Sequence, residues 1–186
     1  MALLQKPEDS LMTGEELLRR PDLNPCELVD GRVVPTMPMG RVHGRSEARL
    51  AARLLTYVES HDKGEVLTGE IGIYIRRNPD TVRAADIAFI SHGRLARCKA
   101  EGYLDVAPEI VVEVLSPDDR MSQVREKLRD YFSAGVQVAW VVDPTLRRVL
   151  VHRSLTDLTV LDNRQILTDE ELLPGFSVPV SDLFPE

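Results

Sequence analysis

The segment Glu109-Ile110-Val111-Val112-Glu113-Val114-Leu115 constrains this chain more than any other. Its density of β-branched residues marks a strand covered on both faces, and such strands lie inside sheets flanked by helices. Glu113 interrupts that run. A lone carboxylate there is costly to bury and persists only if it is paired, protonated or bound to a cation. A salt bridge to an arginine, or a half-exposed strand with Glu113 facing water, satisfies it without any chemistry. Asp86 poses the same question, because Ala84, Ala85, Ile87, Ala88, Phe89 and Ile90 surround one acid in what reads as a neighbouring strand. Two acids on adjacent strands can meet, and oxygen ligands from two or three carboxylates suit Mg²⁺ or Mn²⁺.

The elements around these strands follow from local signals. Thr13-Gly14-Glu15-Glu16 is a capping box with Met12 and Leu17 as its hydrophobic staple, so a short helix starts at Gly14 and ends before Pro21. Asp30-Gly31 between Glu27-Leu28-Val29 and Arg32-Val33-Val34 predicts a hairpin with a type I′ turn. From Arg41 to Ser60, Leu50, Ala51, Leu54, Leu55 and Val58 recur at helical spacing. Strands are expected at Glu65 to Ile75, Val82 to Ile90 and Glu109 to Leu115, the first two joined by the turn Asn78-Pro79-Asp80. His92 to Gly102 reads as a short helix or a loop. Ser116-Pro117-Asp118-Asp119 reads as a helix start, with the helix running to about Ala134 and stopped by Gly135. Further strands are expected at Val136 to Val142, Arg148 to His152 and Leu158 to Leu161, before an irregular tail. The fold class is therefore α/β, with a mixed α+β sheet. The 186 residues suit one domain: helix and ribbon in 1–40, core in 41–143, strands and tail in 144–186.

Several other polar residues sit near the expected core. Lys127 lies at the edge of the stripe Val124, Leu128, Tyr131 and Phe132, one turn before Tyr131, where it either points back to the sheet or snorkels to water. On the first long helix, Glu47 falls among Leu50, Ala51, Leu54 and Val58, with His43 one turn earlier; a rotation of one residue returns Glu47 to solvent. His43 reads as a capping or core histidine before it reads as a ligand. Glu27 is structural unless the ribbon folds over the acidic pair, which would make it another ligand or an acceptor behind one. Arg41, Arg45, Arg49 and Arg53 form a stripe facing away from the apolar side, read as a solvated face or a dimer contact. Arg76, Arg77 and Arg83 lie nearer the acids and are better placed to hold a polyanion.

Composition excludes several classes. The net charge is −7 and the isoelectric point about 5.2, so the chain is not coated in the basic surface that gives unselective nucleic-acid affinity. It can still focus a small positive cleft on an anionic substrate. No apolar run approaches the roughly 20 residues a bilayer demands. Met1 to Ser10 carries Lys6, Glu8 and Asp9 and lacks a secretory pattern, so a cytoplasmic location is expected. Cys26 and Cys98 show neither CxxC spacing nor a disulfide framework.

Taken together, Glu27-Leu28-Val29-Asp30-Gly31, His43-Gly44-Arg45, Arg83-Ala84-Ala85-Asp86-Ile87-Ala88-Phe89, Glu113-Val114-Leu115-Ser116-Pro117-Asp118, Lys127 with Tyr131, Trp140-Val141-Val142-Asp143-Pro144 and Leu173-Pro174-Gly175-Phe176 resemble the Uma family. These are restriction endonuclease-like proteins of the PD-(D/E)XK nuclease superfamily, and the resemblance runs from about Glu27 to Phe184. It implies an αβββαβ core and metal-dependent hydrolysis of phosphodiester bonds in nucleic acid, with DNA the expected substrate and a homodimer an expected state. By resemblance, Asp86 and Glu113 bind Mg²⁺ or Mn²⁺ and Glu47 occupies the place of a helix-borne acid. Two positions depart from the pattern: Ala85 stands where the superfamily carries Pro, and Leu115 where it carries Lys. Members of the superfamily relocate that amine to the following helix, where Lys127 is placed to substitute.

The expected catalytic set is thus Asp86, Glu113 and Lys127, with Asp86 and Glu113 as metal ligands. Glu47, Glu27, His43 and Tyr131 are supporting candidates and Arg83 a candidate for substrate phosphate. Two rivals stand beside it. One is a nuclease-fold module that binds or regulates without turnover, consistent with Leu115; the other is a structural site in which Glu113 and Asp86 pair with Arg83 or Arg125.

Overall fold

The computed structural model describes residues 11–99 and 101–184; the reading of Met1 to Ser10 lies outside them. Thr13 accepts from the Glu16 amide while the Glu16 carboxylate accepts from that of Thr13, which starts α1, Gly14–Leu18. The ribbon β1, Cys26–Val29, and β2, Arg32–Pro35, turns at Asp30 and Gly31. Their φ values of 51° and 73° are both positive, as a type I′ turn requires. The helix α2 spans Arg41–Ser60. β3, Gly64–Arg76, pairs antiparallel along its length with β4, Thr81–Ser91. A one-turn helix α3, His92–Leu95, settles the ambiguous segment. Then follow β5, Ile110–Val114, the helix α4, Met121–Ala134, β6, Val138–Asp143, β7, Arg148–His152, and β8, Leu158–Leu161.

Two expectations are corrected. The helix after β5 begins at Met121, not at Ser116, because the Asp119 carboxylate accepts from the Ser116 amide, and the Asp119 amide donates to the Ser116 carbonyl. Those bonds close a separate turn, and extended Arg120 starts the helix instead. The expected irregular tail contains a second sheet, β9, Ile166–Asp169, with β10, Leu173–Pro179, followed by a 3₁₀ turn Val180–Leu183. Its strands are short and its alternation is broken by a bulge between Leu173 and Ser177, so no clean period marks it.

The order α2-β3-β4-β5-α4-β6 forms the centre of a mixed sheet with strand order β2-β1-β4-β5-β6-β7-β8 and β3 on β4. β5 and β6 run parallel, and the other pairs antiparallel. Leu50, Leu54 and Val58 of α2 pack with Phe89, Val112 and Trp140 on one face, together with Phe176, Val178 and Leu183 from the tail. On the other face Val124, Leu128 and Tyr131 of α4 pack against Val111, Ala139 and Val141. Two arginines of the stripe on α2 fasten that helix to the last turn of the chain, Arg49 by donating to the Asp182 carbonyl and Arg53 by donating to the Asp182 carboxylate. Among the described residues no helix is long and apolar enough to cross a membrane.

β4 has an unusual pair of edges. β3 covers one edge from end to end, so β1 and β5 must share the other. β1 meets it only at Leu28↔Val82 and β5 only at Ile87↔Val112 to Phe89↔Ile110. Residues 83–86 between them face a gap in the sheet.

The tail sheet closes the α2 face through Phe176, whose ring stacks on Trp140 at 5.8 Å and meets Tyr57 edge-on at 5.4 Å. Phe176→Ala should destabilise the fold by about 3–5 kcal/mol, whereas Ile166→Ala, at a half-exposed position of the same sheet, should stay within about 0.5 kcal/mol. Urea unfolding of the two variants checks the contrast.

Candidate active site

The gap along β4 leaves backbone groups without strand partners, and side chains satisfy them. The Ala84 amide donates to Glu27 Oε1 at 2.9 Å. The Ala84 carbonyl accepts from Lys127 Nζ at 2.8 Å and lies 3.1 Å from the Tyr131 hydroxyl. Across the gap, the Val114 amide donates to Asp86 Oδ2 at 2.6 Å. Buried amides and carbonyls demand such partners, so the splay of β1 and β5 draws polar side chains into the core.

Two groups of ionisable residues result. In the first, Lys127 Nζ donates to Glu113 Oε2 at 2.6 Å and stands 3.4 Å from Glu27 Oε1, while the Tyr131 hydroxyl donates to Glu113 Oε1 at 2.6 Å. Burial pushes the Glu113 carboxyl up to about 7 against the pull of the Lys127 ammonium. Glu113 and Glu27 outweigh the burial of Lys127 and hold it above its ordinary value, so it stays a cation. Behind this pair, buried Arg83 donates to Asp130 at 2.7 Å, Glu27 at 2.8 Å and Glu126 at 3.3 Å. Arg83 is thus engaged by three carboxylates beneath the ribbon.

In the second group, His43 near the start of α2 places Nε2 3.2 Å from Asp86 Oδ2 and Nδ1 3.9 Å from Glu47. One ligand atom from each of His43, Glu47 and Asp86 lies within 4.8 Å of the others. His43 is 4% exposed, yet neither ring nitrogen makes a hydrogen bond. Its burial lowers the imidazole pKa, but the carboxylates of Asp86, Glu47 and Glu70 outweigh that and raise it. Burial and the nearby Asp86 raise the Glu47 carboxyl. An imidazole without hydrogen bonds beside two carboxylates fits a divalent ion, and a mixed nitrogen and oxygen set suits Mn²⁺ at least as well as Mg²⁺.

The structure therefore brings Asp86 together with His43 and Glu47, and Glu113 together with Lys127, Tyr131 and Glu27. The two groups touch across the sheet, since Asp86 bonds the residue after Glu113 and its charge adds to the rise of the Glu113 carboxyl. Neither acid pairs with Arg83 or Arg125 among the described residues. Arg76 pairs with Asp30, and Arg77 pairs with Glu15 while lying over the Tyr74 ring.

Sequence reading passed over Glu70. It sits in the β3 bulge opposite Asp86, where Thr68↔Ile87 is followed by Ile71↔Ala85. Burial and the Asp86 charge raise its carboxyl, and its field reaches His43, Lys127 and Glu27. The signal was Gly69, a glycine in the middle of a strand pattern.

Lys127→Ala leaves Glu113 buried without its cation and should cost about 3–5 kcal/mol near pH 8. The Glu113 carboxyl then rises further above its unfolded value. A raised carboxyl stabilises the fold below the unfolded pKa and loses that contribution as pH climbs through the folded one. The penalty should therefore shrink towards pH 5, and Glu113→Gln added to Lys127→Ala should recover part of it at pH 8. Urea unfolding at both pH values checks the pattern.

The chain matches no curated protein. A solved structure from Anabaena variabilis, titled as that of "a putative nuclease belonging to DUF820", superposes with a TM-score of 0.76 at 22% identity, covering 93% of this chain and 97% of that one. It shares the fold. The model of the Uma2 family, described as "Putative restriction endonuclease", matches residues 15–181. With the αβββαβ core and the paired acids in place, this chain belongs to the Uma2 family.

Proposed function

We propose that this chain is a cation-dependent nuclease that hydrolyses phosphodiester bonds, with DNA as its substrate. The observation that carries the reading is the meeting, at one gap in the sheet, of the His43, Glu47 and Asp86 group with the Glu113–Lys127 pair. Family membership and the fold shared with the Anabaena protein support it.

Asp86, Glu47 and His43 are the side chains that would hold Mg²⁺ or Mn²⁺. Glu113, whose two oxygens each accept one hydrogen bond, keeps lone pairs with which to join Asp86 as a ligand. A divalent ion bound there supplies a Lewis acid that polarises the phosphate and lowers the pKa of water. Lys127 supplies a fixed positive charge beside the phosphorus, where negative charge builds during attack. Glu27 and the Ala84 carbonyl hold that ammonium in place, and Tyr131 holds Glu113. Arg83 supports the site from beneath through Glu27. Water attacks phosphorus and the bond to the 3′ oxygen breaks, leaving a 5′-phosphate and a 3′-hydroxyl. A cytoplasmic location, expected from the sequence, and a homodimer, implied by the family resemblance, belong to this reading.

A second reading, binding without turnover, draws on one feature. Lys127 is already engaged inside the protein, donating to Glu113 and the Ala84 carbonyl and ion-paired with Glu27 at 3.4 Å.

Nicking of supercoiled plasmid with Mg²⁺ or Mn²⁺ tests the proposal. Asp86→Asn and Glu113→Gln should each lose about 100-fold or more in rate, and Glu65→Gln on exposed β3 should match the wild type. Equal nicking by all four proteins would sink the assignment. No nicking by the wild type, with DNA still retarded in a gel, would favour the binding module.

A further inference from the structure

β3 spends an extra residue opposite Asp86. The ladder passes from Thr68↔Ile87 to Ile71↔Ala85, so Gly69 and Glu70 together oppose one residue of β4. Both have positive φ, 89° at Gly69 and 62° at Glu70. Glycine adopts that region freely, whereas glutamate there is strained. Bulges of this kind turn a side chain towards a site beside the sheet. Glu70 remains solvent-accessible and makes no ion pair or hydrogen bond among the described residues. It lies opposite Asp86 in the ladder, and the charges of Asp86, Lys127, Glu27 and His43 act on its carboxyl.

That arrangement is unfavourable without a ligand. Asp86 lies beside Glu47 and His43 on one side and opposite Glu70 in the ladder on the other, so three carboxylates gather around a single imidazole. Lys127, whose charge reaches Glu70, is already bonded to Glu113, and Arg83 to Glu27, Glu126 and Asp130. His43 independently points to a ligand at the same place, being 4% exposed with both ring nitrogens lacking hydrogen bonds.

We propose that Glu70 is a fourth side chain of the cation site, held by the strained β3 bulge at the mouth of the His43, Glu47 and Asp86 group. This inference rests on the cation-dependent reading given above. Glu70 stands outside the set of ligand atoms within 4.8 Å, so it works behind the three ligands. Mg²⁺ and Mn²⁺ keep several water or substrate oxygens in their six positions, and those oxygens are what a carboxylate at this distance can hold.

The test is Mn²⁺ titration by calorimetry of the chelator-stripped full chain, with thermal unfolding and plasmid nicking on the same samples. Glu70→Gln and Glu70→Gly should each weaken Mn²⁺ binding about tenfold, while Glu65→Gln should not. In the stripped state Glu70→Gly should raise Tm by about 2–4 °C, because glycine relieves the backbone strain. Glu70→Gln should not lower it. Unchanged Mn²⁺ affinity in both variants, or a lower Tm in both, overturns the proposal while the nuclease reading stands on its own nicking data. Weakened Mn²⁺ binding in a protein that nicks nothing upholds Glu70 and removes the nuclease reading. A wild type that binds no Mn²⁺ overturns both.

Discussion

Everything near the site depends on one break in hydrogen bonding. β4 is buried along nearly its whole length, yet β1 and β5 leave residues 83–86 of one edge unpaired. Buried backbone groups without partners cost as much as lost hydrogen bonds, and water has little access here. Glu27, Lys127, Tyr131 and Asp86 complete the ladder with their side chains. Charge enters the core because the backbone requires it there, and once inside it must be balanced.

The balance is local on one side of the gap and incomplete on the other. Lys127 and Arg83 are matched against Glu113, Glu27, Glu126 and Asp130 in a bonded network that joins the ribbon, β4, β5 and α4. Among the described residues, Asp86 and Glu47 have His43 as their one ion-pair partner within 4 Å, and Glu70 has none. A buried charge network of the first kind rigidifies a site, since breaking any member strands its partner. A cluster of the second kind is relieved by a cation. The Val114 amide bonded to Asp86 is what joins the two groups.

Much of the fold was legible because its signals are local. The Thr13 capping box, the Asp30-Gly31 turn and the α2 limits follow from neighbouring residues, and each holds in the structure. The start of α4 misled because Ser116 to Asp119 carries good capping chemistry, and Asp119 spends it on a turn of its own. The tail sheet was missed because β9 and β10 are held by Trp140 and α2, far away in sequence. Glu113 and Asp86 stood out as acids in apolar strands. Glu70 did not, since an acid next to a glycine in a polar stretch of strand looks like ordinary surface until its partner strand is known.

The sequence by itself determined most of the strands and helices of the central sheet, and that two carboxylates stand among the apolar residues of adjacent strands. Period, capping and β-branched density act over a few residues, and these the chain carries openly. Only the tertiary structure decided the partners: that Asp86 joins His43 and Glu47, that Glu113 joins Lys127 and Tyr131, and that Arg83 is bound by Glu27, Glu126 and Asp130. Those choices follow from where β1 and β5 part along β4, and the β3 bulge likewise sets Glu70 opposite Asp86. Both are properties of strand register, which long-range packing sets and no local run of residues encodes.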